Sequence, residues 1–170
     1  METLSTPWRY RWVTSQSKPG GCLFCRVQAA RRDGPANLLL HRGKQNFIIL
    51  NRFPYNNGHL MIVPNKHMAS LSVMSVGQMG EMMELARRSE KAIRDLYHPD
   101  GFNLGINLGK CSGAGIIGHI HLHIVPRWAG DTNFMAVMNG TRILPESLAT
   151  TYRKIRRKLR QASSGEKTQK

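Results

Sequence analysis

Apolar and polar positions alternate most sharply in the run His119-Ile120-His121-Leu122-His123-Ile124-Val125, which closes on Pro126. Period-two alternation predicts a β-strand, because successive side chains of a strand point to opposite faces. His119, His121 and His123 then share one face, and Ile120, Leu122 and Ile124 pack on the other. Two strand rises would separate neighbouring imidazoles by roughly 6 to 7 Å, whereas a helix would scatter them over several faces. Three of the seven histidines fall within five residues. That spacing suits one imidazole attacking a phosphorus while its neighbour handles protons. The plainer readings are a polar strand face and a metal-binding patch.

Other apolar runs supply the remaining strands and two helices. Leu38 to His41 and Phe47 to Leu50 flank Arg42-Gly43-Lys44-Gln45-Asn46, a hairpin with a glycine-containing turn. Leu60 to Val63 and Phe102 to Asn107 bring the strand count to about five. Between them, Val76, Met79, Met83, Ala86, Ile93 and Leu96 recur at three- and four-residue steps, interrupted at Ser89 or Glu90. This predicts an amphipathic helix from Val76 to Leu96, stopped by Pro99 and Gly101, with its methionines as core filler. A last helix starting near Pro145 presents Leu148, Tyr152, Ile155 and Leu159 on one side. Met1 to Gly21 is polar and irregular, but the alternation of Trp8, Tyr10 and Trp12 suggests an extended arm. The expected organisation is therefore arm 1–21, a folded domain 22–144, and a basic helix and tail 145–170, with no internal repeat.

Composition narrows the class. A chain of 170 residues, 41% hydrophobic, is long enough for one domain and one core. No run approaches the roughly 18 apolar residues of a membrane span, and the first residues lack a secretory signal, which places the protein in the cytoplasm. Lysine and arginine outnumber aspartate and glutamate by 25 to 10, a net charge of +15, so the chain should attract nucleotides, polyphosphates or nucleic acid. Basic residues concentrate after Tyr152, from Arg153 through Arg160 to Lys167 and Lys170; a solvated helix face is the plain reading of that run. Three cysteines cannot all pair. Cys22 and Cys25 have the two-residue separation at which a turn aims two thiolates at one tetrahedral ion, with buried thiols or a redox pair as alternatives, and Cys111 is left over.

The run from His119 to Val125 resembles the signature of the histidine triad superfamily at every position. Asn51-Arg52-Phe53-Pro54-Tyr55-Asn56-Asn57-Gly58-His59-Leu60-Met61-Ile62-Val63-Pro64 is similar to that family's nucleoside-binding strand and turn. The continuation Pro126-Arg127-Trp128-Ala129-Gly130-Asp131-Thr132-Asn133-Phe134 is most similar to bacterial diadenosine tetraphosphate phosphorylases and their hydrolase relatives. The resemblance implies an α+β fold with an antiparallel sheet of about five strands, one long and one C-terminal helix, and two protomers joined across a two-fold axis. One departure stands out: many members carry Gln-Ser or Gln-Thr before the triad, where this chain has Gly115-Ile116 in a glycine-rich loop. Backbone N–H groups of such a loop can still line an anion site.

The resemblance also implies roles. His121 would be the nucleophile that forms a nucleotidyl-histidine, which requires its neutral form, with water or inorganic phosphate as acceptor. His123 would orient the phosphate and handle protons, Asn51 would contact the ribose, and Asn107, Gly113 and Gly115 would lie near the phosphates. His59 belongs to the same nucleotide-binding turn, and Trp128 would stack a base or simply pack. Cys22, Cys25, His67 and His119 would form a closed, structural zinc site, which removes His119 as a free acid. The implied activity is cleavage of dinucleoside polyphosphates, diadenosine tetraphosphate first. A nucleoside phosphoramidase, a hydrolase of adenylated nucleic-acid ends reached through the basic tail, and a non-catalytic nucleotide-binding module are the competing readings.

Overall fold

Short apolar runs pair in sequence to build the sheet on which everything else is mounted. The computed structural model describes residues 21–131 and 145–165. The expected arm with Trp8, Tyr10 and Trp12, the run Thr132 to Phe134, and Lys167 and Lys170 lie outside the described residues. The chain runs α1 (Leu23–Gln28), β1 (Leu39–Arg42), β2 (Asn46–Leu50), β3 (Leu60–Pro64), a 3₁₀ turn (Leu71–Val73), α2 (Val76–Tyr97), β4 (Gly101–Ile106), β5 (Leu122–Arg127) and α3 (Leu148–Gly165). The five strands order as β1-β2-β3-β5-β4, every neighbour antiparallel. These are the five strands that the apolar runs predict, in the α+β arrangement that the resemblance implies.

Every residue of β2 and β3 is buried, because both faces are covered, and strands covered twice lose their alternation. Ile48, Leu50, Ile62 and Ile124 join Ile93 of α2 and Ile155 and Leu159 of α3 in one core, all essentially inaccessible. Phe24 of α1 and Phe47 of β2 meet edge to face, their centroids 6.5 Å apart.

Two helical expectations shift. Helix α2 has the expected length, opened by a reciprocal capping box between Ser75 and Gln78 and closed by His98 in the left-handed conformation. Its buried stripe, however, is Met82, Leu85, Ala86, Ser89, Ala92 and Ile93. Val76, Met79 and Met83 are exposed, so Met79 and Met83 are not core filler. Ser89, where the apolar pattern broke, sits in the centre of the real stripe, its hydroxyl donating to the Leu85 carbonyl at 2.7 Å. Helix α3 starts three residues later than expected, where Ser147 Oγ accepts from the Thr150 N–H. It buries Tyr152, Ile155 and Leu159 in the same core as the sheet.

The triad strand is also shorter than its alternation predicts. β5 begins at Leu122, paired with Ile62 and Ile106, and only His123 of the three histidines lies in the ladder. Upstream, other hydrogen bonds replace strand pairing: the Ile120 N–H donates to the Met68 carbonyl at 2.7 Å, and the His119 ring takes the Pro64 carbonyl at 2.9 Å. His119 and His121 are therefore buried, not displayed on an open face.

Candidate active site

His121 is fixed by its own chain. Its Nδ1 lies 2.9 Å from the His119 carbonyl. A carbonyl only accepts, so Nδ1 carries the proton and Nε2 the lone pair. Burial lowers the pKa of this imidazole below the ordinary histidine value, partly opposed by the bond to the His119 carbonyl. The result is a neutral imidazole of defined tautomer, with an Nε2 lone pair that could act as a nucleophile.

His123 is oriented from the turn that precedes β3. His59, fully buried, places Nε2 at 2.9 Å from His123 Nδ1. The Tyr55 backbone N–H donates to His59 Nδ1 at 3.1 Å. That donor makes His59 Nδ1 an acceptor, so in neutral His59 the proton sits on Nε2 and is given to His123 Nδ1. Neutral His123 then keeps its proton on Nε2. The imidazoles of His121 and His123 are perpendicular, with centroids 4.7 Å apart, closer than a straight strand spaces them, since His121 precedes the ladder. One ring thus offers a lone pair and its neighbour an N–H. The turn that delivers His59 depends on Gly58, whose φ of +79° suits glycine.

Cross-strand register spreads further polar groups around this pair. His123 faces Met61 on one side and Gly105 on the other, and Val125 faces Asn103. A cavity of about 330 Å³ beside His123 is lined by Tyr55, Asn103, Gly105, Asn107, Arg127 and Asp131 among others. Asp131 accepts from Arg127 Nε at 2.6 Å and from Asn56 at 2.8 Å. The Arg127 guanidinium, foremost, holds its carboxyl far below the usual range. Asn51 lies beyond His59, its amide nitrogen 3.4 Å from each ring nitrogen. Asn107 thus shares the His123 cavity, while Gly113 and Gly115 belong to the exposed or half-exposed loop before the triad. Trp128 is turned away: its indole N–H donates to the Tyr97 carbonyl at 3.3 Å, and it is absent from the cavity lining.

His119 faces a different group. Its Nδ1 lies 3.3 Å from Cys22 Sγ and 3.7 Å from Cys25 Sγ, and Cys25 Sγ lies 3.4 Å from His67 Nδ1. The four ligand atoms fall within 4.8 Å of one another. Zinc–sulfur and zinc–nitrogen bonds at tetrahedral angles give S···N separations of about 3.6 Å, so the donor set fits that ion. His119 Nε2 donates to the Pro64 carbonyl, the outer-shell bond that orients a ligating histidine. The residue between the thiols that sequence reasoning missed is Phe24. Fully buried, it packs on His119 at 5.4 Å and on His121 at 5.1 Å. No periodic signal in a six-residue helix points to it.

The family model for the HIT domain matches residues 32–130, more than half of the chain. The chain belongs to the histidine triad family. It is 38% identical over 116 residues to an AP-4-A phosphorylase of Mycobacterium tuberculosis, a match spanning 68% of this chain and 60% of that protein. An adenylylsulfatase of Arabidopsis thaliana is 29% identical, with 71% of this chain and 62% of that one covered. The chain thus spans about three fifths of the length of these relatives. Among solved structures, a zinc-bound histidine triad family protein of Mycobacterium smegmatis is 28% identical with a TM-score of 0.68, covering 85% of this chain and 97% of that one. A histidine triad protein of Sulfolobus tokodaii, at 24% identity and a TM-score of 0.66, covers 82% of this chain and 93% of its own and shares the fold. No helix among the described residues is long and apolar enough to cross a membrane.

Proposed function

We propose that this histidine triad protein cleaves dinucleoside polyphosphates, diadenosine tetraphosphate first, through a nucleotidyl-His121 intermediate. The observation that carries the reading is the complementary pair of tautomers: a lone pair on His121 Nε2 beside an N–H on His123 Nε2. His121 Nε2 attacks the α-phosphorus, and the bond from that phosphorus to the bridging oxygen breaks. The electron pair leaves on the oxygen of ATP, which His123 Nε2–H protonates or stabilises. In the second step water or inorganic phosphate attacks the same phosphorus, the P–N bond returns its pair to His121, and AMP or ADP departs. Asn51 would hold the ribose, and Asn107 with the amides of Gly113 and Gly115 would stabilise charge on the phosphate oxygens. The similarity to an AP-4-A phosphorylase supports phosphate as acceptor ahead of water.

Cys22, Cys25, His67 and His119 would hold zinc as a structural ion. All four positions are taken by protein, so none is left for substrate. The resemblance-based dimer would join two sheets across a two-fold axis at an end strand, and of the two end strands β4 is the more exposed; a reducing cytoplasm would keep the ligating thiols reduced. The deciding experiment incubates the protein with diadenosine tetraphosphate, with and without inorganic phosphate. Phosphate-dependent ADP plus ATP is expected. AMP plus ATP without phosphate would make the enzyme a hydrolase, and turnover of an adenosine phosphoramidate alone would replace this reading.

A further inference from the structure

Helix α3 poses an electrostatic problem that α2 does not. On α2, Arg87 pairs with Glu84, Lys91 with Asp95 and Arg94 with Glu90, each about one turn away. α3 carries Arg153, Lys154, Arg156, Arg157, Lys158 and Arg160 and no acidic residue at all. Glu146 and Asp95, from outside the helix, neutralise Lys154 and Lys158. Arg153 bonds only the Ala149 carbonyl and the Thr150 hydroxyl, and Arg156 the Tyr152 hydroxyl and the Asp33 carbonyl. Among the described residues neither these two nor Arg157 has a carboxylate partner. Like charges one turn apart weaken a helix slightly, and a bound polyanion would relieve that repulsion.

Geometry narrows the polyanion. Arg153, Arg157 and Arg160 are exposed and succeed one another at four- and three-residue steps, a ridge about 10 Å long at 1.5 Å per residue. The Arg156 bond to the Asp33 carbonyl, at 3.1 Å, brings the exposed Arg31-Arg32 segment alongside. The apolar side of α3, with Tyr152, Ile155 and Leu159, is buried in the core. A helix that lies in a membrane surface needs that side for the acyl boundary; a phosphate backbone needs only the exposed guanidinium groups.

We propose that the outer ridge of α3, Arg153, Arg157 and Arg160, together with Arg31 and Arg32, docks the sugar-phosphate backbone of nucleic acid. The contact is independent of base sequence and of the reaction assigned to His121. Fluorescence anisotropy with labelled single-stranded and duplex oligonucleotides, titrated at several salt concentrations, tests it. Each phosphate contact contributes about 0.7 to 0.9 to the slope of log K against log salt. Arg153→Gln/Arg157→Gln should therefore flatten the slope by about 1.5 and weaken binding about tenfold at low salt, with the thermal melt and dinucleotide turnover unchanged. Arg153→Lys/Arg157→Lys should retain the salt slope. Salt-insensitive binding, equal affinity in the glutamine variant, or wild-type protein that binds phosphatidylserine vesicles but neither oligonucleotide would overturn the proposal.

Discussion

Chemistry at this site is set by which nitrogen of each imidazole holds its proton. The His119 carbonyl decides it for His121, and the Tyr55 amide, relayed through His59, decides it for His123. His121→Ala should lower dinucleotide turnover by about 10³-fold or more and abolish any trapped nucleotidyl-protein, as measured with labelled substrate. His59→Ala should lower kcat by about 10²-fold with little change in KM, since it acts on proton transfer. His59→Gln, whose amide can still donate to His123 Nδ1, should recover part of that loss. His59 was visible in the sequence as part of a nucleotide-binding turn, but its partner was not, because the bond to His123 spans 64 residues. His41 offers a test of stability. Burial first, then the Arg88 charge, lowers its pKa below the ordinary value. The unfolded chain therefore binds a proton more readily than the folded one. As pH falls below about 6.5, the unfolded value, stability is lost until the folded pKa is passed. His41→Gln should lose less Tm between pH 7.5 and 5.5 (both ~) than wild type, with the remaining histidines common to both.

At the level of elements, the β1–β2 hairpin is held by Glu81 of α2 as well as by its own turn, in which the Gly43 N–H donates to the Asn46 carbonyl at 2.8 Å. Glu81 carboxylate oxygens accept from the Lys44 and Gln45 amides at 2.6 and 2.7 Å and from the Asn46 side chain at 2.8 Å. Burial pushes its pKa up, but these bonds outweigh it and the carboxyl titrates low. Gly43 leaves the room: a Cβ there would sit 2.7 Å from the Asn46 carbonyl oxygen and 2.8 Å from Glu81 Oε1. Gly43→Ala should destabilise by about 1–3 kcal/mol, read from denaturant unfolding, and Glu81→Ala by a similar amount through its stranded amides. Hydrophobic periodicity located all five strands and both long helices, yet it misread their faces wherever a polar residue was satisfied locally. Ser89 hides in the α2 stripe by bonding Leu85. The alternation of His119 and His121 looks like a ladder, although the Ile120 N–H and the two imidazole rings bond to carbonyls outside any strand pairing. Neither substitution of partners leaves a trace in a one-dimensional pattern.

For the molecule as a whole, the proposed zinc links the N-terminal turn to the nucleophile through two routes, the His119 backbone and the Phe24 ring. Chelation should lower Tm by several degrees (~) through lost ligand binding to the native state and suppress turnover, and added zinc should restore both. Elemental analysis should find about one zinc per chain. Phe24→Ala should destabilise by about 3–5 kcal/mol while leaving that metal content intact. Cys22 and His119 stand 97 residues apart in the chain. Cys22, Cys25 and His67 leave the ribosome well before the fourth ligand, so three donors wait for a residue that is positioned only when β3 and β5 pair. The entropy of closing so long a loop rises slowly with its length, but among the four ligands this closure comes last. The residue that completes it is also the one whose carbonyl sets the proton on His121. On the proposed mechanism, a chain that has not yet brought His119 to its three partners would hold no competent nucleophile at His121, and reactivity toward nucleotides would appear only after that closure.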